Sequence, residues 1–288
     1  MTERLADIGA RINGVRQLGA VVNAMRGIAA ARAQQARSQL AAVDAYAATI
    51  ADGISRVLAL LPDQREDRAD GPGRAALVLF CAEQGFAGTF SERVLDAADV
   101  EAAGAGLFLV GTRGLAVAAE RGITPGWSAA MPSRSAGIPK LADGIAGALR
   151  AYLAAGGLSE TGGVDAVFTD WQPGRGRSLL HRRLLPFASA PSPRAADRNP
   201  PVMNLAPQAL LAGLAAEHLH AQLCNAALHA FTAENEARME TMAAARTQIE
   251  RQLSSLQARQ RMVRQEEITA EIIELAAGEA ASLGRASA

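Results

Sequence analysis

"LADIGARINGVRQLGAVVNAMRGIAAAR", from Leu5 to Arg32, decides the fold. Alternate steps of three and four residues from Leu5 reach Ile8, Ile12, Val15, Gly19, Val22, Arg26 and Ala29. They continue through Ala33, Ala36, Leu40, Val43, Ala47, Ile50, Ile54, Val57 and Leu61. Only Gly19 and Arg26 depart from an apolar or alanine seam, and no proline interrupts before Pro62. A heptad seam held this long specifies a coiled coil rather than an ordinary globular helix. The reading is a coiled-coil helix over 1–61, roughly 85 Å long at about 1.5 Å per residue. Gly9, Gly14, Gly19 and Gly27 each cost about 1 kcal/mol of helix propensity relative to alanine, so close packing is expected against them.

A partner helix is expected over 206–283, because no proline follows Pro207, and it would span roughly 110 Å. Its seam is clearest at Ile249, Leu253, Leu256, Gln260 and Val263, while the longer spacing from Phe231 to Met242 suggests weaker supercoiling upstream. Beyond Val263 the same frame falls on Glu267 and Glu274, whereas the apolar stripe returns at Ile268, Ile272 and Leu275. The buried face has turned by about 100°, one residue's rotation on a helix. The last turns are therefore expected to leave the first helix and face something else.

Between the helices, residues 74–190 have a different texture. Short apolar runs at Ala75 to Cys81, Leu107 to Gly111 and Asp165 to Asp170 read as buried strands. Helical patterns at Ser91 to Ala102, Leu115 to Arg121 and Pro139 to Ala155 alternate with them, and Arg177 to Phe187 reads as a further edge strand. That order predicts a small, Rossmann-like α/β domain on a parallel sheet. The fold class is then α/β: a long antiparallel coiled coil of N- and C-terminal helices plus this domain.

Lysine plus arginine and aspartate plus glutamate balance at 29 each, so no global basic excess points to nucleic acid or an anionic membrane. The two cysteines, Cys81 and Cys224, fit a reducing compartment and give no metal-binding spacing. The first residues lack the apolar run of a secretory signal, and no apolar stretch approaches the roughly 20 residues needed to cross a bilayer. A cytosolic chain is expected, attached to something in a membrane if to a membrane at all.

Candidate chemistry is sparse. "CAEQGFAGTFSERV" (Cys81 to Val94) lies between a strand and a helix, where an open α/β sheet binds phosphate, but it matches neither glycine-rich phosphate motif and reads as a tight turn. His181, His218, His220 and His229 are scattered, and His220 with Cys224 on one face does not close a metal site. Glu267, Glu271 and Glu274 share a face, yet no facing ExxH motif completes a di-iron centre. No metal, cofactor or catalytic residue is assigned. Arg11, Arg16, Arg26, Arg32 and Arg37 occupy a span with no acid between Asp7 and Asp44. They are either a solvated face or a track for an acidic partner.

"RQEEITAEIIELAAG" (Arg264 to Gly278), the opening helix segment and "AENEARMETMAAA" (Ala233 to Ala245) resemble the gamma subunit of F-type rotary ATP synthases. The loop after the first strand matches that family only loosely. Gln260-Arg261 and Arg246-Thr247-Gln248 also depart from its pattern, which points to a divergent branch such as the alternative N-type ATPases. The resemblance implies a non-catalytic rotor shaft coupling ion flow to ATP synthesis or hydrolysis. It would turn inside a catalytic ring of alpha and beta subunits, with its foot on the epsilon subunit and the membrane c-ring, peripheral to the cytoplasmic face of a bacterial inner membrane. Carried onto matching positions, Met25, Arg26, Arg264, Gln265, Ile268, Thr269 and Glu271 become the expected partner-binding residues. Two other classes remain: a nucleotide-binding α/β enzyme with a coiled-coil arm, which nucleotide binding would reveal, and a coiled-coil adaptor.

Overall fold

The computed structural model describes residues 5–60, 74–98, 106–157, 163–187 and 203–286. Leu61 and the proposed strand start at Ala75 have no described side chain, and the end of the helical pattern expected from Ser91 to Ala102 lies outside the described residues. In chain order the elements are α1 (Leu5–Leu58), β1 (Arg74–Phe80), α2 (Phe90–Ala97), β2 (Leu107–Val110), α3 (Thr112–Glu120), β3 (Trp127–Ala129), α4 (Ile138–Tyr152), β4 (Gly163–Gln172), β5 (Gly176–Leu185) and α5 (Pro207–Ala286). Contacts divide the chain into two compact units, Met1–Gly27 with Glu240–Ala288, and Ile28–Met239. The division falls within both long helices.

The first unit is an antiparallel helix pair. Ile8 and Ile12 pack with Val263, Leu253 and Leu256, while Val15, Val22 and Met25 pack with Met242, Ala245 and Ile249. Low numbers on α1 thus meet high numbers on α5. At Gly19 the helices approach closely, since a Cβ there would sit 3.3 Å from Cγ2 of Ile249. Gly14 and Gly27 have no such reason, because a Cβ at either would meet nothing within 4 Å. The expectation of close packing therefore holds at one glycine and fails at those two.

Arg26 is exposed, although the heptad step places it on the seam, and Met25 packs there in its stead. From Arg264 to Ala277 every residue of α5 is exposed. The rotated stripe of Ile268, Ile272 and Leu275 consequently touches no seam on α1: its residues are half or more exposed.

In the second unit the sheet order is β3-β2-β1-β4-β5. β1, β2, β3 and β4 are parallel, and β5 runs antiparallel to β4, so the sheet is mixed rather than parallel throughout. Alternation along β1 sends Ala76, Val78 and Phe80 to a core shared with α4, α5 and Ala36 of α1. Leu77 and Leu79 point to the opposite core with α2 and α3. Farther along α1, Ala47, Ile50 and Ile54 pack with Ala221, Leu211 and Leu214 of α5. Between Leu223 and Leu228, and again between Ala230 and Arg238, α5 is buried on every side.

His218 lies where α5 meets Phe187, their rings 4.8 Å apart and edge-to-face. Burial lowers its pKa from the ordinary 6.5, against a smaller raising effect from the backbone of Ala47. Well above pH 6.5 the imidazole is neutral in both folded and unfolded chains and its burial carries no proton penalty. As pH falls below 6.5, the unfolded chain takes up the proton first, so stability is lost over that window. Chemical denaturation at pH 7.5 and 5.5 is expected to show a smaller acid loss in His218→Gln than in wild type. Equal losses would remove His218 from the acid sensitivity.

Candidate functional site

The loop after β1 stands at the switch point of the sheet, because β1 pairs with β2 on one side and β4 on the other. This is the position where open α/β sheets bind ligands with backbone amides and a helix N-terminus. Close approach is built in: a Cβ at Gly114 would overlap Cβ of Cys81 at 2.1 Å, and Gly111 adopts φ +111° beside the Cys81 carbonyl. No side chain fits at Gly114 while Cys81 stays in place.

Two carboxylates fill the crevice. Glu83 accepts hydrogen bonds from the backbone N–H of Thr112 (3.0 Å), the Thr112 hydroxyl (2.8 Å) and the N–H of Met131 (2.7 Å). It thereby takes up the N-terminus of α3, where negative charge is favoured. Glu234 of α5 accepts from the N–H groups of Glu83 (3.1 Å) and Gln84 (3.2 Å). The amides that would cradle a phosphate are thus held by a side chain of this chain.

Arg238, one helical turn after Glu234, completes a clasp. It pairs with Glu234 and donates to the carbonyls of Gly85 (3.2 Å) and Gln84 (3.4 Å) and to Oδ1 of Asn235 (3.2 Å). Glu234 and Arg238 are 3% and 4% exposed, so neither charge is solvated and each depends on the other. The arrangement does no bond-making chemistry. It ties the loop of the sheet to one long helix through donors and acceptors of fixed direction. On the far side of the loop, Phe86 adopts φ +62° and stays exposed.

Burial pushes the thiols of Cys81 and Cys224 up to about 12, the first with help from Glu92 and Glu234 and the second from Asp143. His220 pairs with Asp143 at 3.0 Å and lies 3.4 Å from the Cys224 sulfur. Among the described residues no group of three or more His, Cys, Asp or Glu is placed to hold a metal.

The expected partner-binding residues separate. Met25 is half-buried within the Val22, Met242 and Ile249 cluster. Arg26, Arg264, Gln265, Ile268, Thr269 and Glu271 are exposed, and the Thr269 hydroxyl is turned back onto the Gln265 carbonyl at 2.8 Å. The arginine track is broken: Arg37 pairs with Glu236 at 2.8 Å and lies 5.0 Å over the Trp171 ring, and Arg32 is half-buried. Arg16 and Arg26 stay exposed. Sequence reading missed the exposed apolar pair Leu18 and Val21, three residues apart on a helical face that the seam does not use.

The sequence pattern of the family described as ATP synthase matches residues 4–282. The ATP synthase gamma chain of Frankia casuarinae is 29% identical over 298 residues, covering 96% of this chain and 97% of the relative. Among solved structures, a chain of the mitochondrial ATP synthase of Euglena gracilis, in an assembly of OSCP, F1 and c-ring, superposes with a TM-score of 0.64. It is 12% identical over 96% of this chain and 94% of that one. A chain of the central stalk and c-ring of the Tetrahymena thermophila mitochondrial enzyme gives a TM-score of 0.56 at 16% identity, covering 78% and 99%.

Proposed function

This chain belongs to the ATP synthase family represented by the gamma chains, and from that premise we infer that it is the central rotor shaft of an F-type ATP synthase or ATPase. The observation that carries the mechanism is the run of exposed apolar residues on unaccompanied helix, Ile268, Ile272, Ile273 and Leu275. Side chains of this size on one short stretch mark a surface that a partner encloses. A ring of alpha and beta subunits encloses it in our reading, and apolar contact, being non-directional, resists rotation little. Leu18 and Val21, exposed on α1, form a second apolar surface for the same ring, and the exposed Arg16 and Arg26 on other faces of the helix would meet its acidic segments.

ATP chemistry resides in the beta subunits in this reading, and the chain contributes position and torque. The clasp of Glu234 and Arg238 joins helix to sheet so that turning one turns the other. The epsilon subunit and the c-ring are the proposed partners of the second unit, and the assembly lies on the cytoplasmic face of a bacterial inner membrane. No described helix is long and apolar enough to cross that membrane itself.

The test is assembly of the full chain with the alpha and beta subunits of its own complex, with a probe fixed to the second unit. Stepwise rotation of the probe during ATP hydrolysis is expected. Failure to assemble, together with nucleotide binding by the chain alone, would favour the enzyme class instead.

Met25→Lys sharpens the reading. It adds a cation beside Arg26 and disturbs a half-buried packing position, so a stability loss of roughly 1 kcal/mol accompanies any effect on coupling. Met25→Leu keeps the packing without the charge. Ions pumped per ATP hydrolysed are expected to fall in the lysine variant and not in the leucine variant. Equal ratios in all three proteins would take Met25 out of the ring contact.

A further inference from the structure

α5 is buried almost all round between Leu223 and Arg238, and much of that surface is alanine: Ala226, Ala227, Ala230, Ala233 and Ala237. Small apolar side chains make a poor rotational key. A helix lined with them presents much the same surface after sliding one turn or rotating by one residue, and apolar contact has no preferred direction. Yet a shaft that slipped inside its α/β body would lose torque at each step.

A polar stripe runs through this alanine surface. Gln222, Asn225, His229, Thr232 and Glu236 follow steps of three and four and so lie on one line along the helix. Four of the five meet partners on other elements. Arg182 of β5 donates to Oε1 of Gln222 (3.0 Å) and Oδ1 of Asn225 (2.5 Å) and stacks 4.9 Å over the Phe168 ring. The amide of Asn225 donates to Asp44 of α1 (2.5 Å). Nδ1 of His229 lies 2.8 Å from Asp170 of β4, which also accepts from Gln172 (2.9 Å). Glu236 pairs with Arg37 of α1. Asn225 and Asp170 are 2% and 5% exposed, so water is not at hand to replace a lost partner. Rotation by one residue would break each bond at once.

We propose that this stripe, centred on Asn225 with Arg182 and on His229 with Asp170, is the register pin that sets, within the second unit, the rotation of α5 against the sheet and against α1. The residues are positioning residues. They act on coupling through the angle at which torque is handed from helices to sheet, and the inference rests on the rotor reading. Hydrogen-bonded pairs suit this task because they are directional and costly to leave unmade, whereas their net contribution to stability is small.

The experiment compares wild type with Arg182→Met/Asn225→Ala, which removes both partners of the central bond and leaves exposed Asp44 to water. Arg182→Lys retains a donor. Each is assembled with the catalytic ring and membrane sector, and melting temperature, ATP hydrolysis, ions pumped per ATP and the angular width of dwells of a probe on the α/β body are measured. The double variant is expected to melt near wild type and to hydrolyse ATP. Its pumping per ATP should fall by about two-fold or more against an opposing gradient, with broadened dwells, and Arg182→Lys should recover part of both. Wild-type pumping and dwell width in the double variant would overturn the proposal. So would a double variant that fails to fold or assemble, since the stripe would then serve stability and not register. A wild-type chain that does not join the ring at all would instead overturn the rotor reading.

Discussion

Arg238→Ala is expected to lower folding stability by about 3–5 kcal/mol, the usual cost of removing one member of a buried ion pair. The truncation strands the Glu234 carboxylate, which is 3% exposed, and unties the carbonyls of Gln84 and Gly85. Domain stabilities are typically about 5–15 kcal/mol, so this one change consumes a large share. Glu234→Gln is the milder lesion: its amide oxygen still accepts from one loop N–H, and the expected cost is about 1–3 kcal/mol. Because the two residues share one network, Glu234→Gln/Arg238→Met should cost less than the sum of the single changes. Urea unfolding of the four chains measures this directly. A loss below about 1 kcal/mol in Arg238→Ala would show that the clasp is dispensable to the fold.

That clasp was not legible in the sequence, and the reason is distance along the chain. Glu234 meets Gln84 across 150 residues, and no local pattern encodes such a pairing. One signal was present: Glu234, Glu236 and Arg238 lie in an alanine-rich stretch of α5, where solvated charge and buried partnered charge look alike. The long helices, by contrast, were legible because one repeat held from Leu5 to Val57, and every seam position but Arg26 is buried or half-buried.

Arg26 itself failed for a geometric reason. The seam resumes in the same frame at Ala29 and Ala33, and between Val22 and Ala29 the half-buried Met25 takes the contact with Met242 and Ile249 in place of Arg26. β3 has only three residues, too few for any alternation to register. The direction of β5 follows from its short connection to β4 at Gly174 and Gly176, both at positive φ, which turns the chain straight back. The polar stripe of α5 was present in the sequence as a heptad pattern. Its meaning appears only once the helix is seen to be buried on all sides, since the same spacing on a surface helix is a solvated face.

Removing residues 264–288 is expected to leave the fold intact and to weaken coupling severely. Among the described side chains of α5 Val263 is the last buried one, packed with Ile8 and Ile12, and those from Arg264 to Ala277 are exposed. Deleting exposed helix should therefore change thermal stability of the isolated chain by no more than about 0.5 kcal/mol. In the assembled complex the same deletion removes Ile268, Ile272, Ile273 and Leu275. Their full enclosure by a ring would stabilise the assembly by about 1.5–3 kcal/mol each. Without that hold the upper end of the shaft is free to move off axis, and torque delivered at each catalytic step falls. ATP synthesis driven by an ion gradient should drop by about ten-fold, equivalent to about 1.4 kcal/mol in the limiting barrier, while hydrolysis persists because no catalytic group is lost. Ile272→Glu/Ile273→Glu, which keeps the helix at full length, separates enclosure from length: a similar drop assigns the effect to apolar contact, and a normal rate assigns it to length. Full coupled synthesis by a correctly assembled truncated complex would mean that these turns touch nothing that matters to rotation.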